Sequence, residues 1–395
     1  MLWQIVRGVP ATRNPFTNRV NGASYSQDAE QIWSQLQHPD KIIGQSGNYY
    51  LGAMALNPEN VPTRDKTRYQ FLLHFWVFVV QVYCPAVLDK DGHRELAGYA
   101  LAIPDVANLR NFCRVFPEVL KARHSDKWKY LPREAVIDLP EEGALDLLLL
   151  LQNRLAREAG DQLRRMILGV ELIHAEKVGN NVKIRSISYV EPVKEQVDKY
   201  AQIKQAYWCP WFRKQRLLNL LQGDKPGWFE FGAVLSRIPR NWLEDPYFSH
   251  DARELLTFEG EIKVKRDIRE SAQLVYDVCQ QYVFSKLETK YGMKWDKTKN
   301  CHIQSGQPIS QQDFDEKKYK IANDAFLSVR SRTEPKAFID YFVSTLYPFV
   351  RKEEFVDFAE KLFNKTDDIR ALTLLALASQ FPHQKKSEVK NAEAA

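Results

Sequence analysis

Residues 166–190, MILGVELIHAEKVGNNVKIRSISYV, decide the fold. Apolar and polar residues alternate on both sides of the turn-forming letters VGNN, which is typical of two antiparallel strands that each bury one face. Pro192 follows the second run and cannot continue a strand ladder. The sequence therefore predicts a β-hairpin formed by Met166–Val178 and Asn181–Val190.

Upstream of the hairpin, strand and helix patterns are mixed. Gly98–Pro104 has the pattern of a strand, whereas Asn108–Arg123 and Glu142–Ala159 have the apolar spacing of helices. Residues 69–84 form either a buried helix or a buried strand, since periodicity does not separate the two. We therefore predict a mixed α/β body over residues 1–262.

Downstream of the hairpin, helical patterns dominate. Helices are predicted over 193–208 and 211–221, and a long amphipathic helix over 266–291 is followed by a lysine-rich loop at 292–310. The last helix, Ile369–Phe381, is apolar nearly all round and is expected at the centre of its bundle. The predicted fold class is α+β, with an all-helical bundle over 263–382 and a flexible tail over 383–395.

Composition limits the class of protein. The five cysteines among 395 residues are far apart and form no C-x-x-C pair, which is typical of a reduced cytoplasmic protein without a zinc site or disulfide framework. The most apolar run, Phe71–Val80, is about half as long as a membrane-spanning helix requires. We expect a cytoplasmic protein that does not contact a membrane and carries no cofactor or metal.

Catalytic motifs are weak. The sequence contains no phosphate-binding glycine loop and no G-x-S-x-G. The dipeptide His250-Asp251 is one part of the His/Asp set of some metal-dependent nucleases, but it also suits a polar turn or a helix start. We therefore predict a binding subunit rather than an enzyme. A nuclease that uses His250 and Asp251 remains the alternative, together with a scaffold that binds only proteins.

Residues 199–221 give the strongest nucleic-acid signal, because they hold five cations and no acid among interleaved aromatic residues. Such cations can neutralise phosphates, and the aromatics can stack on bases or form the core beneath a solvated face. The candidate contacts to a nucleic-acid backbone are Lys199, Lys204, Trp208, Trp211, Arg213, Lys214 and Arg216.

The helical end gives a second signal. Residues 286–336 hold eleven Lys or Arg residues against seven acids. A basic stripe of this kind suits a single strand, although a solvated helix surface fits each cation equally well. The candidate strand contacts are Lys317, Lys318, Lys320, Arg330 and Arg332.

The N-terminal stretch 9–22, VPATRNPFTNRVNG, gives a third signal. It lacks acids, and the first acidic residue of the chain is Asp28. Arginine can bond guanine and asparagine can bond adenine, although a proline-rich loop with local Asn turns is equally consistent. With the neighbouring stretch 57–68, the candidate DNA contacts are Arg13, Asn14, Asn18, Arg19, Asn21, Arg64 and Lys66.

Four stretches together resemble a known family. They are RGVPATRNPFTNRV at 7–20, the long run from YYLGAMALNP to VYCPAV at 49–87, GYALAIPDVANL at 98–109 and EGALDLLLLLQNRL at 142–155. In these strings the chain resembles the large subunit of the type I CRISPR effector complex Cascade, in particular the Myxan branch allied to type I-B. Members of that family carry more chain before the segment that matches Met1, so an N-terminally shortened member is expected.

The resemblance implies a non-enzymatic subunit near the 5′ handle of a guide CRISPR RNA. Such subunits recognise the protospacer-adjacent motif in duplex DNA, while base pairing with the guide recognises the rest of the target. Their helical end resembles the small subunits that line the R-loop. The implied partners are the guide RNA, target double-stranded DNA, the backbone, handle-binding and small subunits of Cascade, and a recruited helicase–nuclease or transposon targeting adaptor.

Overall fold

The computed structural model describes residues 33–34, 37–46, 62–73, 79–89, 94–125, 127–128, 131–132, 135–156, 163–178, 181–223, 225–243, 245–261, 266–296 and 301–382. Up to the hairpin, the elements are β1 (Ile42–Ser46), β2 (Pro62–Lys66), α1 (Thr67–Leu73), β3 (Gln81–Leu88), β4 (Arg94–Leu96), β5 (Tyr99–Val106), α2 (Leu109–Ser125), β6 (Lys127–Trp128), β7 (Leu131–Pro132), β8 (Val136–Ile137), α3 (Glu142–Ala156), α4 (Leu163–Met166), β9 (Ile167–Val178) and β10 (Asn181–Val190).

Helices follow the hairpin. They are α5 (Lys194–Ala206), α6 (Pro210–Gln222), α7 (Phe231–Arg237), α8 (Arg240–Leu243), α9 (Pro246–Glu261), α10 (Arg266–Tyr291), then β11 (Met293–Asp296), β12 (Cys301–Gln304), β13 (Gln307–Pro308), and α11 (Gln311–Arg330), α12 (Pro335–Tyr341), α13 (Phe355–Asn364) and α14 (Thr366–Ala378). A π-helical turn at Phe342–Leu346 and two 3₁₀ turns at Tyr347–Phe349 and Lys352–Glu354 join α12 to α13.

The predicted hairpin is confirmed. Strands β9 and β10 pair antiparallel from Asn181 opposite Val178 to Val190 opposite Val170, with a bulge between Ile184 and Ser186. The hairpin adds to a six-stranded sheet with the order β10-β9-β5-β3-β4, in which β8 pairs parallel with β3. The mixed α/β character predicted for the N-terminal body follows from this sheet and the helices packed on it.

Helix α3 covers one face of this sheet. The hydroxyl of Tyr83 on β3 donates a 2.9 Å hydrogen bond to Asp146 of α3, and both residues are buried. Gly143 lies directly over the Tyr83 ring, where a Cβ atom would stand 2.8 Å from the nearest ring carbon. Glycine at 143 therefore lets the helix approach the sheet closely.

In the C-terminal part, α14 is the central helix, as its apolar pattern predicts. Every residue from Ile369 to Phe381 is buried, and the helix packs against α7, α9, α10 and α11. The α+β class is thus confirmed, with a sheet in the N-terminal body and helices that dominate the C-terminal part.

The predicted loop at 292–310 instead contains three antiparallel strands, β11-β12-β13. Gly292, with φ of +65°, ends α10 in the left-handed conformation common after helices. Ser305 and Gly306 both have positive φ and form the two-residue turn between β12 and β13, as in mirror-image hairpin turns. The Ser-Gly pair was the sequence signal for this hairpin.

The chain divides into two compact units. The first comprises Met1–Val87 and Glu95–Val197, and the second comprises Leu88–Arg94 and Asp198–Ala395. Helices α7 and α9 thus belong to the same unit as the later helices. The domain boundary between residues 262 and 263 stays a prediction. All five cysteines have free thiols, and none of the described helices is both long and apolar enough to cross a membrane.

Candidate nucleic-acid interface

Lysines lie over aromatic rings where the C-terminal half of α10 meets β11 and the start of α11. Nζ of Lys290 lies 5.6 Å from the ring centre of Tyr291, and Nζ of Lys317 lies 5.9 Å from the same centre. Nζ of Lys318 lies 5.6 Å from the ring centre of Phe284. With the similar pair Lys286–Tyr282 and the exposed Lys294 and Trp295, we define the lysine–aromatic surface as Tyr282, Phe284, Lys286, Lys290, Tyr291, Lys294, Trp295, Lys317 and Lys318.

A column of rings supports this surface. Phe314 stacks on His302 at 3.6 Å between ring centres and faces Phe284 at 6.5 Å. The rings of Trp295 and His302 form a T-shaped pair with centres 4.7 Å apart. Because Trp295 is 50% exposed and Phe284 is 40% exposed, both ends of the column reach solvent.

The positive charge of the surface comes from its lysines. Burial lowers the pKa of His302, and the nearby Lys318 lowers it further, so the imidazole is neutral at neutral pH. Burial also lowers the pKa of Lys318, with a second contribution from Arg253. The hydrogen bond and charge of Glu316 raise the pKa of Lys317.

Acids near these lysines have a role in the helix. Ser310 caps α11 by accepting a hydrogen bond from the backbone of Asp313 at 3.1 Å, and acids in a first turn complement the helix dipole. The Lys317–Glu316 pair at 3.0 Å is solvent-exposed, so it contributes little to stability. A phosphate can therefore replace Glu316 at Lys317 at little cost.

The five predicted cations of the helical end fall into two groups. Lys317 and Lys318 belong to the lysine–aromatic surface, and Lys320 is exposed on α11. Arg330 donates hydrogen bonds to the carbonyls of Ser236 and Ile238 at 3.1 and 2.7 Å. The guanidinium of Arg332 lies 4.6 Å from the Tyr341 ring centre and donates to the carbonyl of Ser328. The two arginines thus contact the protein itself.

The cations predicted as contacts within 199–216 differ in their exposure to solvent. Lys199 is exposed, and Lys204, Arg213 and Lys214 are half-buried. Arg216 is buried, and its guanidinium lies 5.8 Å from the ring centre of Tyr207.

The aromatic residues of this segment are mostly core. Tyr200, Tyr207 and Phe212 are buried and Trp211 is half-buried, as the core interpretation expects. Trp208 is the exception, because 62% of it is exposed.

Trp208 stacks on Tyr247, which is itself 48% exposed. The ring centres are 5.8 Å apart and the ring planes differ by 21°. The two residues are 39 positions apart in sequence, so their pairing has no local sequence signal.

His250-Asp251 lies beside this stack in a structural role. Asp251 is fully buried, and its Oδ2 accepts backbone hydrogen bonds from Trp208 at 3.0 Å and Cys209 at 2.6 Å. Its Oδ1 lies 3.0 Å from Nδ1 of His250. Burial raises the pKa of Asp251 to about 6, against the lowering effect of these hydrogen bonds. Both carboxylate oxygens are therefore engaged just before α6 begins, which leaves the nuclease alternative without geometric support.

No cluster of three His, Cys, Asp or Glu residues suited to a metal ion occurs in the described ranges.

Only some of the N-terminal residues predicted to contact DNA lie among the described residues. Arg13, Asn14, Asn18, Arg19 and Asn21 lie outside the described residues, as do residues 57–61 of the stretch 57–68. Arg64 is exposed on β2. Lys66 and Arg68 both pair with Asp40, at 3.4 and 3.3 Å.

Of the nine residues of the lysine–aromatic surface, the sequence predicted only Lys317 and Lys318 as nucleic-acid contacts. Tyr282, Lys286 and Lys290 are four residues apart on α10 and therefore share one side of the helix, which was the available signal. Lys294 and Trp295 lie in a segment predicted as a loop, so their fixed position on β11 was not foreseen.

Comparison with protein-family models gives two matches. The N-terminal domain of type I-B CRISPR Cas8b matches residues 1–161, and the C-terminal domain of type I-B CRISPR Cas8b matches residues 167–380. The junction lies just before β9. No curated protein matches the chain significantly.

Proposed function

Since the chain belongs to the type I-B CRISPR Cas8b family and is a large subunit of a type I-B effector, we propose that its lysine–aromatic surface holds a nucleic-acid strand of the R-loop. The observation that carries this proposal is the set of four lysines whose ammonium groups lie within 6 Å of aromatic ring centres. Lysines neutralise phosphates, and exposed rings beside them can stack on unpaired bases.

The surface suits a single strand better than a duplex. Its exposed rings, Phe284 and Trp295, and the half-buried ring of Tyr291 offer flat apolar faces that a base-paired helix cannot use. The cations are lysines, which bind phosphate as point charges and do not read base edges in a fixed geometry. Binding at this surface is therefore independent of sequence, as an R-loop requires.

Recognition of the adjacent motif is proposed for the N-terminal stretch 9–22, with Arg64 as a further contact. Its support is the acid-free Arg/Asn chemistry of the stretch and the exposure of Arg64. The test measures binding of the assembled complex to targets with varied flanking motifs. Arg13→Ala and Arg19→Ala should weaken and flatten motif preference, and unchanged preference would remove the assignment.

The subunit acts without bond-breaking chemistry in this proposal. Cas8 large subunits are generally non-catalytic parts of Cascade, and here both oxygens of Asp251 already accept hydrogen bonds or pair with His250. We propose a cytoplasmic complex with guide RNA, the other Cascade subunits and a recruited helicase–nuclease or transposition adaptor. Isolated protein that cleaves DNA when a divalent metal is added would overturn this.

The decisive experiment reverses charge in the assembled complex. The variant Lys286→Glu, Lys290→Glu, Lys317→Glu is compared with Lys336→Glu, Lys352→Glu, which reverses exposed lysines elsewhere. The triple variant should bind target at least about tenfold more weakly, and the slope of log affinity against log salt should become shallower by about 2. An unchanged slope would refute the strand contact and favour a surface that binds only protein.

A further inference from the structure

We propose that the stacked pair Trp208–Tyr247 is a binding site for an unpaired nucleobase of a single strand, DNA or RNA. This deepens the proposed function and rests on it, because it adds a base contact at a place distinct from the lysine–aromatic surface. The function of the pair is not explained by core packing, since both side chains are about half exposed or more.

The geometry suits base stacking. The two ring planes are within 21° of parallel at 5.8 Å, so together they present aromatic surface of one orientation. With 62% of Trp208 exposed, the indole keeps open surface that Tyr247 does not cover. Aromatic platforms of this kind bind successive bases of single strands regardless of sequence.

Hydrogen bonds anchor the backbone at both rings, through the buried carboxylate of Asp251 at Trp208 and through an exposed turn at Tyr247. The carboxylate of Asp251 accepts hydrogen bonds from the backbone N–H groups of Trp208 and Cys209. The backbone N–H of Tyr247 donates to the carboxylate of Asp245 at 2.8 Å. Side chains on a fixed backbone lose less conformational entropy on binding, so a pre-organised stack binds more tightly. The buried carboxylate therefore positions the platform rather than catalysing a reaction.

Charge favours nucleic acid over protein as the occupant. The segment that carries Trp208 holds five cations and no acid over residues 199–221. Of these, Lys199 is exposed and Lys204, Arg213 and Lys214 are half-buried. A polyanion is attracted to such a segment, which also carries the exposed Trp208.

The test measures binding of the full-length chain to a mixed-sequence single-stranded DNA, the same sequence as RNA, and the blunt DNA duplex. Trp208→Ala should weaken binding of one or both single strands about tenfold and leave the duplex unaffected. Trp208→Phe should retain most of the affinity. Phe363→Ala, which removes a 61% exposed ring on α13, is the matched control and should change nothing.

Salt dependence separates this site from the lysine–aromatic surface. Trp208→Ala removes no charge, so the slope of log affinity against log salt should equal that of the parent, whereas lysine reversals change the slope. If Trp208→Ala binds single strands as the parent does, the base site is refuted while the lysine test stands. If it instead loses other subunits during complex assembly with strand affinity intact, the pair is a protein contact.

Discussion

Helix α11 uses the lysines of its first half and the arginine at its end differently. In its first half, the half-buried Lys317 and Lys318 lie over the rings of Tyr291 and Phe284. At its end, Arg330 points inward to the last carbonyls of α7. The basic stripe predicted from the sequence therefore divides into two groups. Lys317 and Lys318 are available to a ligand, whereas Arg330 binds carbonyl groups of the protein itself.

The reason lies in the last turns of helices. The final carbonyls of a helix lack partners within it, and a cation can satisfy them. Arg330 does so for α7. Arg370 of α14 does so for the end of α11, through bonds to the carbonyls of Arg332 at 2.9 Å and Arg330 at 3.3 Å. A planar guanidinium with five N–H donors can serve several carbonyls at once, which lysine cannot.

The largest expected effect comes from Arg370, which is buried and also donates to the Ser236 hydroxyl at 2.8 Å. Arg370→Met should lower the free energy of unfolding by about 3 kcal/mol, because several half-buried acceptors lose their donor. Chemical denaturation of the full chain, monitored by circular dichroism, measures this. An unchanged denaturation midpoint would show that arginine bonds to carbonyls at the end of α11 do not stabilise the fold, which would remove the distinction between the two parts of this helix.

Asp251 extends the comparison to the opposite charge, since a buried carboxylate binds N–H groups before α6. Its raised pKa means that the folded chain binds more protons than the unfolded chain between about pH 4 and 6. Stability should therefore fall as pH rises through this interval, by at most about 3 kcal/mol.

The check for Asp251 is denaturation of parent and Asp251→Asn at pH 4, 5, 6 and 7. In the variant, the free energy of unfolding should lack the decrease with rising pH that Asp251 causes, because the amide of asparagine does not titrate. Equal slopes in the two proteins would show that Asp251 ionises as freely when folded as when unfolded.

Arg330→Ala should have a smaller effect than Arg370→Met. It exposes the end of α7 and removes two hydrogen bonds from a half-buried side chain, and a loss of about 2 kcal/mol is expected. Arg330→Lys should restore less than half of it, because one ammonium cannot reproduce the fork. Full rescue by lysine would mean that charge alone matters there.

Lys320→Ala should have the smallest effect on folding. Lys320 is exposed on α11, so its removal should change the free energy of unfolding by less than about 0.5 kcal/mol. A loss comparable to that of Arg330→Ala would erase the contrast between lysines and arginines on this helix.

Much of the fold could be predicted from the sequence. The hairpin followed from the apolar–polar alternation in 166–190, and the central position of α14 followed from a helix without a polar side. The strands within 292–310 were missed because each has at most four residues, too few for a pattern, and only Ser305-Gly306 marked the turn.

The candidate interface was less predictable, because a sequence shows charge but not direction. In the sequence, Lys317 and Arg330 are both cations of one helix. Only tertiary packing shows that Arg330 donates hydrogen bonds to two carbonyls at the end of α7. The stack of Trp208 on Tyr247 joins residues from different helix starts, and no local periodicity encodes it.

Photocrosslinking in the target-bound effector complex tests the central claim most directly. A photoreactive phenylalanine analogue replaces Lys290, on the lysine–aromatic surface, or Lys336, an exposed lysine just past the other end of α11. A crosslink to a single strand of the R-loop is expected from position 290, and none is expected from position 336. Crosslinks from 336 alone, or from 290 only to protein, would contradict it.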